Sequence, residues 1–247
     1  MDTMEIISFR FYGDFAHFRK FYTTSSPLTF PFPPPPTIKG IIGAIMGFDR
    51  DNYLIKTKDI KVGVSLDSPV KKTRMGLNII FTKGSSGKFD PTLNPANKGD
   101  ANKTLRTQIK AEFLKNPSYI IYVSGDDEFN KTLKNRLQNK QNEYTVYLGI
   151  SELIADFEYL SSHEGIILKE SEKVDSVIST ISVESIDIEK IEKNRVEIGK
   201  ERIPTVMEQD RTVKKYEDVI FDVNGKSIYG KFKNLVKISE DKFIYLW

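Results

Sequence analysis

Residues 15–22 interleave flat rings with cations, in the order Phe15, His17, Phe18, Arg19, Lys20, Phe21 and Tyr22. Rings of this kind stack on unpaired bases while guanidinium and ammonium groups neutralise phosphates, so the segment has the composition of a nucleic-acid surface. An amphipathic segment with its aromatics in a core would read the same way. A second cation, Lys39, stands in the first turn of an apolar helix, where free N–H groups and the positive end of the helix dipole already favour an anion. That placement is poor for helix stability and good for phosphate, unless the lysine is simply solvated on a helix buried through its glycines. Lys71, Lys72 and Arg74 gather in PVKKTRM, and Arg106 alternates with apolar residues along TLRTQIKAEFL. Such an arm could hold RNA or be a plain solvated hairpin.

Other chemistries have little to work with. The histidines are His17 and His163, with no second ligand at metal spacing, and cysteine is absent, which excludes disulfides and thiolate sites. There is no Gly-x-Ser-x-Gly elbow, Walker loop or dinucleotide fingerprint, and no cofactor is implied. His17 beside Lys20 or Tyr22 could serve as a general base in RNA cleavage, although a histidine among aromatics is more often packed or stacked.

The elements that must position these residues follow from periodicity. Glu5 to Tyr12 alternates as a strand, with Ile7, Phe9 and Phe11 on one face and Ser8, Arg10 and Tyr12 on the other. Pro31 and Pro33 to Pro36 form an extended ramp that forbids helix before Thr37, the expected N-cap. Ile38, Ile41, Ile42, Ile45 and Met46 then recur at helical spacing, while Gly40, Gly43, Ala44 and Gly47 leave one side almost bare. Ile60 to Leu66 is a strand. Segments 74–82 and 104–113 read as two arms of a long hairpin whose tip, 83–103, is polar, glycine-rich and mobile. Tyr119 to Val123 is a strand, Asp126 caps a helix to about Gln138, and Tyr144 to Leu148 is a further strand.

With the hairpin set aside as an insertion, the order is strand, helix, strand, strand, helix, strand. This predicts an α+β fold, a ferredoxin-like, RRM-like βαββαβ domain over residues 1–150. Residues 151–247 read as a small β-rich C-terminal extension, with Asn224-Gly225 as a hairpin turn.

Hydrophobic residues make up 39% of the 247 and charged residues 29%, an ordinary composition for a folded soluble protein. The net charge of +3 hides an asymmetry: residues 1–125 carry 18 Lys+Arg against 10 Asp+Glu, the remainder 19 against 24. The first part is therefore the polyanion-binding candidate. No charged-then-apolar leader and no membrane-spanning run is seen, so a cytoplasmic location is expected and no membrane partner.

Four segments, FYGDFAHFRKF, TFPFPPPPTIKGIIGAIMG, TLRTQIKAEFLKNPSYIIYV and YTVYLGISELIADF, occur in that order over roughly residues 4–160. Together they resemble the fifth CRISPR-associated protein family of the RAMP superfamily, most like its type I-B branch. The resemblance implies a modified RNA-recognition fold that caps the 5-prime handle of CRISPR RNA, with the hairpin as a thumb toward the Cascade backbone subunit and a large subunit alongside. It leaves contact with target DNA near the protospacer-adjacent motif open. By position it implies phosphate contacts from Arg19, Lys20, Lys39 with Gly40, Lys71, Lys72, Arg74 and Arg106, and stacking on Tyr22 and Phe32. The type I-C branch cleaves precursor RNA with a Tyr/Lys/His group; here no histidine follows the hairpin before His163. The expectation is thus a binding subunit. The rival readings are a metal-independent endoribonuclease processing precursor CRISPR RNA and a scaffold contacting only protein.

Overall fold

The computed structural model describes residues 3–24, 26–80 and 106–247. Among them, in chain order, lie β1 (Thr3–Tyr12), β2 (Phe15–Ala16), β3 (Phe18–Arg19), β4 (Thr29–Phe30), α1 (Pro35–Met46), α2 (Tyr53–Lys56) and β5 (Lys61–Leu66). β6 (Lys72–Ile80), β7 (Arg106–Lys115), β8 (Ser118–Ser124) and α3 (Asp127–Gln138) follow. The rest is mostly strand: β9 (Asp156–Val174), β10 (Ile178–Ser179), β11 (Val183–Ile186), α4 (Ile188–Asn194), β12 (Ile198–Met207), β13 (Val213–Asp222), β14 (Ile228–Ser239) and β15 (Lys242–Ile244).

The fold is a mixed α+β arrangement of antiparallel sheets. The largest runs β11-β14-β9-β1-β8-β5, with β15 beside β14. β1 lies inside it because its alternation serves two cores. Ile7, Phe9 and Phe11 face α1 and α3 with Ile38, Ile42, Leu133 and Leu137, while Ile6 faces the other way onto Tyr122, Val236 and Ile244. C-terminal strands therefore curl over part of the face opposite the helices. The larger core also includes Val177, Ile203, Val219 and Phe221, so it draws on both sides of residue 150.

α1 starts at Pro35, three residues earlier than the sequence suggests, with Pro34 in the capping position and no side-chain cap. The first turn of a helix has no partners for its N–H groups, so prolines at its first positions forfeit nothing. Thr37 is inside the helix, donating its N–H to the Pro34 carbonyl at 2.8 Å. α3 begins as expected, Asp126 accepting from the Phe129 N–H at 2.8 Å.

Tyr144 to Leu148 is not a strand. Its backbone is committed elsewhere: the N–H groups of Glu143 and Tyr144 donate to the Ala44 carbonyl at the end of α1, and Leu148 N–H donates to Leu153. One isolated bridge, Tyr147 to Ile154, is all the ladder it makes. The place beside β1 goes to β9, nineteen residues long, which pairs β1 with its first part and β14 with its second. Asn224-Gly225 does turn the chain, but β13 and β14 do not pair with each other: β13 joins β10 and β12, and β14 joins β9, β11 and β15.

β6 and β7 pair from Lys72 opposite Leu114 to Ile80 opposite Arg106, with β2 added at the base. The expected tip, 83–103, lies outside the described residues. No helix among the described residues is long and apolar enough to cross a membrane.

Candidate nucleic-acid interface

The arm and the aromatic-basic segment are stitched together by Glu112 on β7. Its carboxylate accepts from the Thr29 N–H at 3.3 Å and stands 3.1 Å from the Lys72 ammonium. Its N–H donates to the Pro27 carbonyl, and its own carbonyl lies 2.7 Å from His17 Nδ1. β3, carrying Arg19, pairs with β4 through Thr29, so the segment is held against the foot of the arm. In antiparallel pairing the members of a cross-strand pair point to the same side. Lys72 with Leu114, Arg74 with Glu112 and Gly76 with Lys110 therefore share one side of the ribbon. Lys71, Lys72, Arg74, Lys110 and Lys115 are exposed there and at its base.

Arg19 is exposed, one Nη donating to the Thr23 carbonyl at 3.1 Å. Phe21 and Tyr22 are about half exposed, at 51% and 55%. Their rings meet edge-on with centroids 5.0 Å apart, and Phe21 leans on Tyr216 of β13 at 4.6 Å. Tyr22 is thus available for stacking. Arg106 opens β7, opposite Ile80; its side chain lies outside the described set.

Three predicted contacts sit elsewhere. Lys20 is buried, with its ammonium 2.5 Å from Glu201 of β12. Burial pushes its pKa down, and the Glu201 carboxylate, helped by Tyr22, more than reverses this and keeps it charged. A phosphate would have to displace Glu201 to reach it. Phe32 has no exposed surface and packs edge-on against Phe221, centroids 5.2 Å apart, so it offers no face to a base. Lys39 turns away from the first turn of α1 and donates to the Lys58 carbonyl at 3.2 Å. Burial lowers its pKa, with Asp59 opposing the shift. The open sheet face is likewise occupied, because Arg10 contacts both Asp67 (2.9 Å) and Glu158 (2.8 Å), and Tyr12 donates to Asp156.

Gly40 faces a groove of about 900 Å³ whose walls include Tyr53, Tyr144, Tyr147, Arg50 and Arg211. Tyr53 fills the bare side of α1: its ring would meet a side chain added at Gly40 at 3.6 Å, and its Cβ leaves no room for one at Gly43. Burial raises the Tyr53 pKa, and the charges of Arg211 and Arg50 oppose that rise. The wall carrying Tyr144 and Tyr147 ends at Gly149, whose φ of 100° suits glycine and where a Cβ would collide with the His17 carbonyl. That close approach lets His17 N–H donate to the Leu148 carbonyl at 2.9 Å.

Sequence reasoning missed these residues. Arg50 lies in a polar turn, Arg211 at the tip of the β12-β13 hairpin, and the tyrosines in a stretch read as strand. Tyr144 and Tyr147, three apart, cannot share a face under strand alternation. That mismatch was the available signal.

His17 itself is 5% exposed and tilts against Phe113, centroids 5.3 Å apart. It is packed, not presented to solvent. His163 lies 2.7 Å from Ser161 Oγ and 3.2 Å from Ser8 Oγ. Among the described residues, no group of three or more His, Asp or Glu is placed to hold a metal ion.

A family model described as CRISPR-associated protein (Cas_Cas5) matches residues 6–218. Among curated proteins, none matches. Of the solved structures similar to this chain, one titled a CRISPR RNA-guided surveillance complex has a TM-score of 0.55 at 13% identity, covering 92% of this chain and 91% of that one. A CRISPR protein from Archaeoglobus fulgidus gives 0.49 at 10% identity, covering 98% of each chain. A chain from a type III-B Cmr-beta assembly bound to cognate target RNA and AMPPnP gives 0.48 at 10% identity, covering 90% of this chain and 86% of that one. At such identity the first of these likenesses is one of fold.

Proposed function

Since the chain belongs to the CRISPR-associated Cas5 family, we propose that it is a non-catalytic, RNA-binding subunit of a CRISPR effector complex of the type I Cascade kind. It caps the 5-prime handle of the CRISPR RNA, and the β6-β7 ribbon serves as the thumb toward a backbone subunit, with a large subunit alongside. In this reading β9-β1-β8-β5 with α1 and α3 is the RRM-like part. The observation that supports it best is the group of exposed cations at the foot of the ribbon, Lys71 and Arg74 with Lys72 paired to Glu112 between them, set beside exposed Arg19 and Tyr22. Arginine and lysine would hold handle phosphates and the tyrosine would stack on a splayed base. Base pairing of the guide would do the sequence reading.

The test is one experiment with purified protein and labelled CRISPR repeat RNA, in EDTA, at two salt concentrations, on native and denaturing gels. Salt-sensitive binding with the RNA intact is expected. A single defined cut would move the protein to the ribonuclease reading. Neither binding nor cleavage would remove the isolated chain as an RNA binder.

A further inference from the structure

The groove beside Gly40 differs from the ribbon foot in its charge. Asp49 and Asp51 line it together with Arg50 and Arg211, so its charges balance and nothing draws an anion into it as such. Its size is that of a pocket for a small organic molecule. Tyr144 and Tyr147 keep 47% and 43% of their surface exposed, enough for a flat ring to lie on. The Tyr144 hydroxyl stands 3.4 Å from an Asp49 oxygen, which places a carboxylate at the edge of the aromatic wall. An aromatic wall with a carboxylate at its edge suits a flat heterocycle that presents N–H groups along one side.

We infer that the groove holds one unpaired guanine base of the bound RNA, stacked on the tyrosine wall with its N1–H and amino group on Asp49, and with its flanking phosphates at Arg50 and Arg211. The inference rests on the RNA-binding reading above. Guanine is the base whose Watson–Crick edge offers two adjacent donors, which a carboxylate can accept side by side. Adenine and cytosine pair one amino group with a ring acceptor that the carboxylate repels. Uracil places its single N–H between two carbonyl oxygens. Arg211 reaches the groove from β12-β13, the hairpin to which Lys20 and Phe21 are fastened through Glu201 and Tyr216. The C-terminal hairpin is therefore part of the RNA site.

Fluorescence anisotropy of the full chain with short single-stranded RNAs tests this, using an all-uridine strand and strands with one central guanosine, adenosine or cytidine. The guanosine strand should bind about ten-fold tighter than the all-uridine strand, the discrimination ordinary for a good bidentate base contact. Asp49→Asn should abolish that preference. Tyr147→Ala should weaken the guanosine strand by about ten-fold, as loss of one base stack does. Lys71→Ala with Arg74→Ala should weaken all four strands and keep the preference. Equal binding of the four strands, or a preference that survives Asp49→Asn, overturns the groove assignment alone. No binding of any strand overturns the RNA-binding reading and the groove with it.

Discussion

Arg19 and Lys20 are neighbours in sequence and opposites in structure. Arg19 points into solvent at the foot of the ribbon, and Lys20 is sealed against Glu201 under the β12-β13 hairpin. The same split runs through the whole set of cations. Lys71 and Arg74 are exposed, whereas Arg10 is committed to two carboxylates and Lys39 to a backbone carbonyl. The partners that commit these cations lie outside their own segments, 181 residues away for Lys20 at Glu201, 57 and 148 for Arg10 at Asp67 and Glu158, and 19 for Lys39 at Lys58. A cation is free or spoken for according to residues that local composition does not show.

Substitutions at the sealed Lys20–Glu201 pair and in the core beside it should act on stability, and those at the exposed cations on RNA. Phe32→Ala should give the largest loss, about 3–5 kcal/mol, as a deeply buried phenylalanine leaves a cavity. Thermal denaturation would show it, and a small shift would mean that Phe32 packs less tightly than its lack of exposure implies. Glu201→Ala should follow at roughly 3 kcal/mol, since it leaves the Lys20 ammonium buried and uncompensated. Replacing both partners with apolar residues, Lys20→Met with Glu201→Leu, should recover most of that loss. If the double variant is as unstable as Glu201→Ala, the pair does more than neutralise itself.

In the exposed group, Lys71→Ala and Arg74→Ala should each lower the slope of log K against log salt by about one, with stability changed by no more than about 0.5 kcal/mol. Lys39→Ala should leave the slope unchanged, and a fall of about one would return Lys39 to the phosphate contacts. The smallest effect concerns pH. Burial, aided by the charge of Lys242 and opposed by a hydrogen bond with the Ile238 backbone, holds His163 below its usual pKa of 6.5. The folded state then binds fewer protons than the unfolded one just below that value. Its contribution is intact above about pH 6.5 and is lost as pH falls toward the folded pKa. Melting temperature should drop on acidification, and His163→Gln should flatten that part of the curve.

Much of the frame could be read from the residues. The alternation of Ile7, Phe9 and Phe11 placed β1, the isoleucine spacing placed α1, and Asp126 placed α3, because each signal is complete within about ten residues. The Tyr144 to Leu148 stretch misled because its alternation was real while its hydrogen bonds went to α1 and a turn. Of the groove, Gly40 alone is among the predicted contacts. Its walls come from Gly40, Tyr53, Tyr144 and Arg211, segments that only the folded chain brings together.

β1 has its two ladder partners far downstream: Ile7 pairs with Val123 on one side and with Ser162 on the other. At translation rates of about 5–20 residues per second, roughly eight to thirty seconds separate the emergence of Ile7 from that of its second partner. For that interval a strand bearing Ile7, Phe9 and Phe11 presents an unpaired edge to everything near the ribosome. The nascent chain is therefore most exposed to aggregation before β9 is made. Synonymous changes that slow synthesis between residues 124 and 174 should lower the soluble yield of an unaltered protein.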